Sequence, residues 1–145
     1  MKRDFRKWHS LKSRIDAVED GMLYRTQEVW WCALGANVGV EADGKNDLFE
    51  RPVLIFRKFN KDMFWGLPMT SRSKRAEPFY FTFSLHEKPQ TVVFSQLRVL
   101  SSKHLIRRLG KVSDSQFLLI KEALLEFMKN ETDPFRGPRV PNGNK

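Results

Sequence analysis

Short apolar runs separated by turn residues dominate the sequence between residues 27 and 100. The runs cover 28–34, 52–59, 64–69, 78–83 and 91–99, are rich in Val, Phe and Trp, and are separated by pieces such as GKND, KFNKD, TSRSKR and HEKPQ. Short strands at this spacing favour a small antiparallel barrel over alternating βαβ units. We therefore expect a mainly β domain.

Helical patterns flank this β-rich region on both sides. In residues 4–20 the apolar positions share one helix face, and Ser113 and Gln116 fit a capping box ahead of a second apolar stripe. The two stripes are Phe5, Trp8, Leu11, Ile15 and Val18, and Phe117, Ile120, Leu124 and Phe127. We predict an amino-terminal helical extension over 1–26, a barrel domain with a closing helix over 27–130, and a flexible tail rich in Pro, Gly and Asn over 131–145.

The basic composition of the chain narrows the choice of partners. Its 145 residues carry a formal net charge of +9, which favours a polyanion or an acidic protein, or else only aids solubility. A single cysteine, Cys32, excludes an intrachain disulfide and a cysteine-rich zinc site. No apolar run approaches the roughly 18 residues of a membrane span, and the charged start MKRDFRKWHSLK lacks a signal-peptide core. We expect a soluble, cytoplasmic protein that contacts no membrane.

The stretch GVEADGKN at residues 39–46 comes close to the phosphate-binding loop G-x-x-x-x-G-K-[ST]. Asn46 stands where a Ser or Thr hydroxyl would hold magnesium, and Glu41 and Asp43 put negative charge where phosphate would lie. Pro52 interrupts the helix that must follow such a loop. We therefore reject nucleotide binding for this stretch.

A series of short motifs runs through residues 27–129 in a fixed order. They are EVWWCALGANVG, an acidic loop that carries glycine, RPVLI, PMTSRSK, VVFSQLRVLSSKHL, and GKVS before the last helix. Each motif is weak alone, but their order and spacing resemble the MazF/PemK group of toxins from toxin–antitoxin pairs. The amino-terminal helix and the long 35–50 loop resemble a subgroup with the same additions.

The resemblance implies a compact SH3-like barrel (MazF/PemK-like) with a closing helix, assembled as a homodimer. Members of the group are endoribonucleases that cut single-stranded RNA without a metal or other cofactor. The 2′-hydroxyl of the RNA attacks its own phosphorus and leaves a 2′,3′-cyclic phosphate and a free 5′-hydroxyl. A cognate antitoxin protein inhibits the enzyme by covering its RNA site.

The resemblance assigns catalytic roles to Arg51, Thr70 and Glu41. A guanidinium stays charged and offers a bidentate fork to phosphate, so Arg51 would grip the RNA and stabilise the transition state, with the acid role as a secondary assignment because arginine is a poor proton donor. The Thr70 hydroxyl would bind a phosphate oxygen or hold Arg51, and Glu41 matches the glutamate proposed as base. The alternatives are an ion pair for Arg51, an ordinary turn at Thr70, and a solvated acidic loop at Glu41.

Substrate contacts are expected from Ser71, Arg72, Lys74, Gln96 and Arg98. The run SRSKR directly follows Thr70 and is well placed to meet phosphate, whereas Gln96 and Arg98 would contact a base or the backbone, or serve structure alone. Some family members carry an arginine and an acid where this chain has Val93 and Ser95. The acid and base roles of those two positions cannot be transferred.

The three histidines do not form a recognisable site. His9, His86 and His104 lie far apart in the sequence without metal-ligand spacing. His86, in LHEKPQ, is the histidine nearest to the rim of the expected site, and its alternative is a surface turn residue. Basic residues near 57–61, 72–75 and 107–111 lie among aromatic residues that could stack on unpaired bases, although a small barrel needs most of its aromatics inside.

The leading hypothesis is therefore a toxin endoribonuclease that acts on single-stranded RNA and is controlled by an antitoxin. One rival is a nucleic-acid-binding barrel without catalysis, motivated by Val93 and Ser95 and by the lack of a well-placed histidine. A second rival is a toxin that inhibits a protein target such as gyrase, and growth arrest without loss of mRNA would favour it.

Overall fold

The computed structural model describes residues 4–16, 22–35, 49–70 and 78–130. Within these ranges the chain forms two α-helices, seven strands and two short 3₁₀ helices. The elements are α1 (Phe5–Asp16), β1 (Glu28–Ala33), β2 (Glu50–Lys58), β3 (Met63–Thr70), β4 (Tyr80–Leu85), β5 (Lys88–Val93), β6 (Arg98–Ser101), β7 (Leu105–Lys111) and α2 (Asp114–Lys129), with the 3₁₀ helices at Phe94–Gln96 and Ser102–His104. No helix among the described residues is long and apolar enough to cross a membrane.

The strands form one sheet in the order β4-β5-β3-β2-β1-β7, and β6 pairs with β3 beside this path. Each of these pairings is antiparallel. The predicted fold class, a small mainly β domain with a helix at each end, is confirmed, and its sheet is open along this path. The division of the chain into an extension, a domain and a tail stays a prediction.

Strand β3 pairs with two later strands, and this explains an error in the predicted run 91–99. Its carboxyl end pairs with β5 through Met69 and Thr70, while its start pairs with β6 from Met63 to Gly66. The chain therefore has to turn between β5 and β6, and the 3₁₀ helix Phe94–Gln96 makes that turn. Buried Phe94 fixes its place, since its amide donates to Phe79 O at 2.7 Å.

One of the two large core clusters lies between the sheet and α2, and the other is built from strand residues and Tyr24. Phe117, Ile120 and Leu124 of α2 are buried against strand residues such as Leu54 and Leu67. Full burial of side chains of this size stabilises the fold by about 2 kcal/mol each. The predicted apolar stripe of this helix thus packs as expected.

The start of α2 differs in one detail from the predicted capping box. The Ser113 hydroxyl accepts a hydrogen bond from the Gln116 amide at 3.3 Å, so Ser113 is the N-cap. The Gln116 side chain instead accepts from the Ser84 amide at 3.2 Å. It therefore links the helix to β4 rather than closing the box.

Helix α1 packs on the sheet through a small apolar cluster. Its Trp8 is 8% exposed and lies with Ala33 and Phe49, with the Trp8 and Phe49 ring centroids 5.5 Å apart. The predicted stripe is wrong at Phe5, which is 52% exposed because it lies one turn before this contact. The predicted end of the helix, with Val18 and Gly21, lies outside the described residues.

Candidate functional site

A cavity of about 570 Å³ opens where the end of β3 meets the starts of β2 and β5. Residues of β1, β7 and the β4–β5 hairpin complete its wall. Its lining residues are Trp31, Glu50, Arg51, Pro52, Met69, Thr70, Leu85, His86, Lys88, Gln90 and Leu109. The volume is typical of a pocket that holds a small molecule or one unit of a polymer.

Arg51 and Thr70, predicted from sequence as site residues, both line this cavity. Arg51 pairs with Cys32 in the ladder between β1 and β2, and its Nη1 donates to Met69 O at 3.2 Å. Pro52 restricts the preceding residue to extended backbone, which orders Arg51 locally. Because Thr70 follows Met69 directly, the guanidinium is held on the strand end that carries the Thr70 hydroxyl.

Glu50 adds a buried carboxylate beside Arg51. It is 4% exposed and forms an ion pair with Arg107 Nη1, whose own side chain is 53% exposed. The Arg107 guanidinium also lies over the Trp31 ring, 5.0 Å from its centroid. Arg107 therefore compensates the charge of Glu50 from β7, and of the two residues only Glu50 lines the cavity.

The β4–β5 hairpin brings His86 to the cavity in an unusual backbone conformation. Leu85 and Lys88 pair across a two-residue turn in which His86 has φ of 51° and Glu87 has φ of 63°. Such turns favour Asn-Gly, and a residue with a larger side chain in the left-handed region costs about 1 kcal/mol. The imidazole is seated on Gly110 of β7, where an added Cβ would overlap His86 Nε2.

The other residues predicted from sequence do not join this cavity within the described part of the chain. Gln96 lies in the 3₁₀ helix between β5 and β6 and is half-buried, and Arg98 opens β6 opposite Gly66. Burial lowers the pKa of His104, and the positive charges of Arg98 and Lys12 lower it further. The charge of Arg98 is therefore felt at His104, which lies close to α1, and not at the cavity.

Four predicted site residues lie outside the described residues. They are Glu41, Ser71, Arg72 and Lys74, and the stretch 39–46 lies outside with them. Their roles stay predictions. The ends of both segments are described, however: Gly35 and Phe49 bound the first, and Thr70 at the cavity bounds the second.

Several basic residues expected to contact RNA are engaged within the protein. Lys58 Nζ donates to Tyr24 O at 2.8 Å and lies 4.5 Å from the centroid of the Tyr24 ring. Arg108 Nε donates to Glu28 Oε2 at 2.9 Å. These contacts hold part of the positive charge in internal pairs and leave less of it for a polyanion.

No group of three or more His, Cys, Asp or Glu side chains within the described ranges could hold a metal ion. His104 is largely buried, and its Nδ1 donates to Ala33 O at 2.8 Å. It lines a second, smaller cavity of about 310 Å³ with His9 of α1. These two histidines therefore lie away from Arg51 and Thr70.

Several residues that line the cavity have no recognisable local pattern in the sequence. Trp31 and Leu109 arrive from β1 and β7, which are adjacent only in the folded sheet. Lys88 and Gln90 are brought in by β5, whose position follows from its pairing of Thr91 with Thr70. A prediction of strand order would have been needed to find them.

Comparison with known proteins gives consistent matches at the level of family and fold. A sequence profile described as PemK-like, MazF-like toxin of type II toxin-antitoxin system matches residues 25–128. No curated protein sequence matches the chain at a significant level.

Solved structures share this architecture at low sequence identity. MazF (Form-I) from Deinococcus radiodurans is 17% identical with a TM-score of 0.59, over 75% of this chain and 99% of that chain. An endoribonuclease in complex with its cognate antitoxin from Mycobacterial species is 16% identical with a TM-score of 0.55, over 77% and 100%. Mycobacterium tuberculosis toxin MazF-mt6 is 17% identical with a TM-score of 0.51, over 72% and 99%.

Proposed function

Because the chain belongs to the PemK-like, MazF-like family of toxins from type II toxin–antitoxin systems, we propose that it is an endoribonuclease that cuts single-stranded RNA. The observation that carries the proposal is the placement of Arg51 and Thr70 in one cavity of about 570 Å³, with Arg51 Nη1 bound to Met69 O. One of the similar structures is itself described as an endoribonuclease. A fixed guanidinium beside a hydroxyl suits a phosphodiester.

The proposed reaction needs no group from outside the RNA and the protein. The 2′-oxygen forms a bond to the adjacent phosphorus while the bond from phosphorus to the 5′-oxygen breaks, and the bonding pair leaves with the 5′-oxygen. The proton of the 2′-hydroxyl passes to a base, for which Glu41 is the candidate. The 5′-oxygen takes up a proton as it leaves, so a 2′,3′-cyclic phosphate and a 5′-hydroxyl remain.

Arg51 serves this reaction by stabilising charge. Two N–H groups of a guanidinium can bind the non-bridging oxygens, whose negative charge grows as the fifth bond to phosphorus forms. Its anchor on Met69 O limits the reorganisation needed at that moment. The Thr70 hydroxyl adds a donor on the same wall, and Ser71, Arg72 and Lys74 follow it in sequence as phosphate contacts.

The partners follow from the same proposal. A cognate antitoxin would inhibit the chain by occupying the cavity, as one similar structure is a complex with such an antitoxin. We further propose a homodimer that acts in the cytoplasm, where messenger RNA is exposed. Gln96 and Arg98 would then meet RNA outside the cavity.

The test is cleavage of single-stranded RNA by the purified protein in the presence of EDTA. Wild-type protein should give fragments with 2′,3′-cyclic phosphate and 5′-hydroxyl ends. Arg51→Ala should lower the rate about 100-fold or more, since loss of one fixed donor to an oxyanion costs that much. Arg25→Ala removes an equal charge from an exposed residue that does not line the cavity and should leave the rate unchanged.

Two results would contradict the proposal. One is the absence of cleavage by the wild-type protein, and the other is full activity in Arg51→Ala. Binding of RNA that weakens with salt but gives no cyclic phosphate would instead support a non-catalytic nucleic-acid-binding protein.

A further inference from the structure

We propose that His86 is the general acid of the reaction, the group that protonates the 5′-oxygen as it leaves. This inference rests on the proposed endoribonuclease function. It adds a residue outside the set that the resemblance assigned, on an element that carries none of the others.

The proposed reaction needs a proton donor for the leaving 5′-oxygen, and the residues assigned so far do not supply one. A guanidinium holds its protons too tightly to release one near neutral pH. Val93 and Ser95, at the end of β5 and in the following 3₁₀ helix, offer no ionisable group, since Val93 is apolar and a serine hydroxyl does not exchange a proton near neutral pH. The reaction has a candidate base and a charge stabiliser, but its leaving group has no acid.

Among the described residues that line the cavity, His86 is the suitable donor. Besides Arg51, the ionisable side chains there are Glu50, Lys88 and His86. Glu50 is already engaged in an ion pair with Arg107 and is buried, so it is poorly placed to reach a leaving group. An ammonium such as that of Lys88 releases its proton far less readily than an imidazolium, which is the usual proton donor and acceptor near neutral pH.

Two features of the fold position His86, one at its backbone and one at its ring. Its backbone is fixed in the left-handed region at the tip of a two-residue turn, with Leu85 and Lys88 paired on either side. Its ring lies on Gly110, a position where any side chain would take the space of His86 Nε2. A turn with Asn-Gly would be easier to form, so the imidazole occupies this tip at a cost in conformation.

The proposed step conserves atoms and charge. As the bond from phosphorus to the 5′-oxygen breaks, its electron pair goes to that oxygen, and a proton passes from the His86 imidazolium to it. The base that took the 2′-hydroxyl proton and the neutral imidazole then exchange protons with water. The 5′-hydroxyl product leaves uncharged.

The test uses a leaving group that does not need an acid. A single-stranded RNA with one cleavage site mapped for the wild-type protein is prepared in two forms, with oxygen or with sulfur at the bridging 5′ position. A thiolate leaves without protonation. His86→Asn removes the donor but suits the left-handed turn, because Asn tolerates positive φ.

We expect His86→Asn to cleave the oxygen form about 100-fold more slowly or worse, and the sulfur form at nearly the wild-type rate. Arg51→Ala should be slow on both forms, since charge still builds on the non-bridging oxygens. The matched control is Glu87→Asn, which alters the other left-handed residue of the turn and should act like wild type on both.

A second variant tests the contact between the His86 ring and Gly110 without changing the histidine. Gly110→Ala would displace the imidazole, because the new Cβ overlaps Nε2. It should show the same pattern as His86→Asn, slow on oxygen and close to normal on sulfur. Circular dichroism and thermal melting check that both variants fold.

The outcomes separate the two proposals. If wild-type protein cuts neither form, the endoribonuclease function fails and takes this inference with it. If wild-type protein cuts both forms while His86→Asn is equally slow on both, or as fast as wild type on both, the acid role is overturned and the nuclease function stands.

Discussion

Removal of Arg107 should destabilise the fold through the carboxylate that it leaves behind. Glu50 is 4% exposed, and its ion pair with Arg107 Nη1 crosses from β2 to β7, two strands that do not adjoin in the sheet. In Arg107→Ala the negative charge of Glu50 stays in a site that water hardly reaches. The change therefore costs more than the loss of an ordinary surface contact.

The expected magnitude lies between two limits. Breaking a fully buried pair costs about 3–5 kcal/mol, whereas an exposed pair is worth about 0.2–1 kcal/mol. Here the carboxylate is buried but the guanidinium is 53% exposed, so we place the loss in unfolding free energy at about 2 kcal/mol. Loss of the cation–π contact with Trp31 adds about 0.5 kcal/mol.

Urea denaturation followed by tryptophan fluorescence measures the change, and thermal melting should show a drop of about 5–10 °C. Arg108→Ala is the matched control on the same strand. Its partner Glu28 also accepts from the Trp30 indole at 3.0 Å and from the Arg25 amide at 2.8 Å. With those donors retained and the carboxylate somewhat more exposed, the control should lose less than about 1 kcal/mol.

A second change identifies the cause. Adding Glu50→Gln to Arg107→Ala removes the buried negative charge that has lost its Arg107 partner and should restore about 1 kcal/mol. If Arg107→Ala costs no more than Arg108→Ala, or if Glu50→Gln restores nothing in that background, the argument from a buried carboxylate is wrong.

Three further changes test other parts of the structure. Gly35→Ala should cost about 2 kcal/mol in unfolding free energy, because φ is +79° and the new Cβ overlaps the Trp8 ring, and a loss below about 0.5 kcal/mol by urea denaturation would contradict this. Burial lowers the pKa of His104 below its ordinary 6.5, so the unfolded chain binds the proton more tightly and stability should fall as the pH drops below about 6.5. His104→Asn should reduce this dependence of stability on pH between pH 7.5 and 5.5. Equal slopes for the variant and the wild type would refute the assignment. Tyr24→Phe should lower the free energy of unfolding by about 1 kcal/mol, because the Tyr24 hydroxyl donates to Asn60 O at 2.7 Å. Urea denaturation should show a lower midpoint with the same m value, and an unchanged midpoint would count against that bond.

The first three strands were predictable because each contains a run of apolar residues that are mostly buried. In β2, Val53, Leu54 and Ile55 are each 0% exposed, so the sequence shows an unbroken apolar run. Strand β7 was missed because Arg107 and Arg108 interrupt its pattern, and both are exposed. The predicted fourth run, 78–83, was early because residues 78 and 79 form a turn before Tyr80.

The candidate site was predictable only where it depends on local sequence. Arg51 could be found because Pro52 beside it marks a recognisable motif, and Thr70 because it ends a strand. The place of His86 depends on Gly110 of another strand, which no local pattern reveals. Gln96 and Arg98 lie away from the cavity because the 3₁₀ turn sets their direction.

The amides of Leu34 and Gly35 both donate to Phe49 O, at 3.0 and 3.3 Å. These two hydrogen bonds join the described residues on either side of the stretch from 36 to 48. Doubling the length of a closed segment adds only about 0.6 kcal/mol of entropy cost. Added or removed residues between these two points should therefore cost the sheet little stability, so the length of this segment can vary without rebuilding the domain.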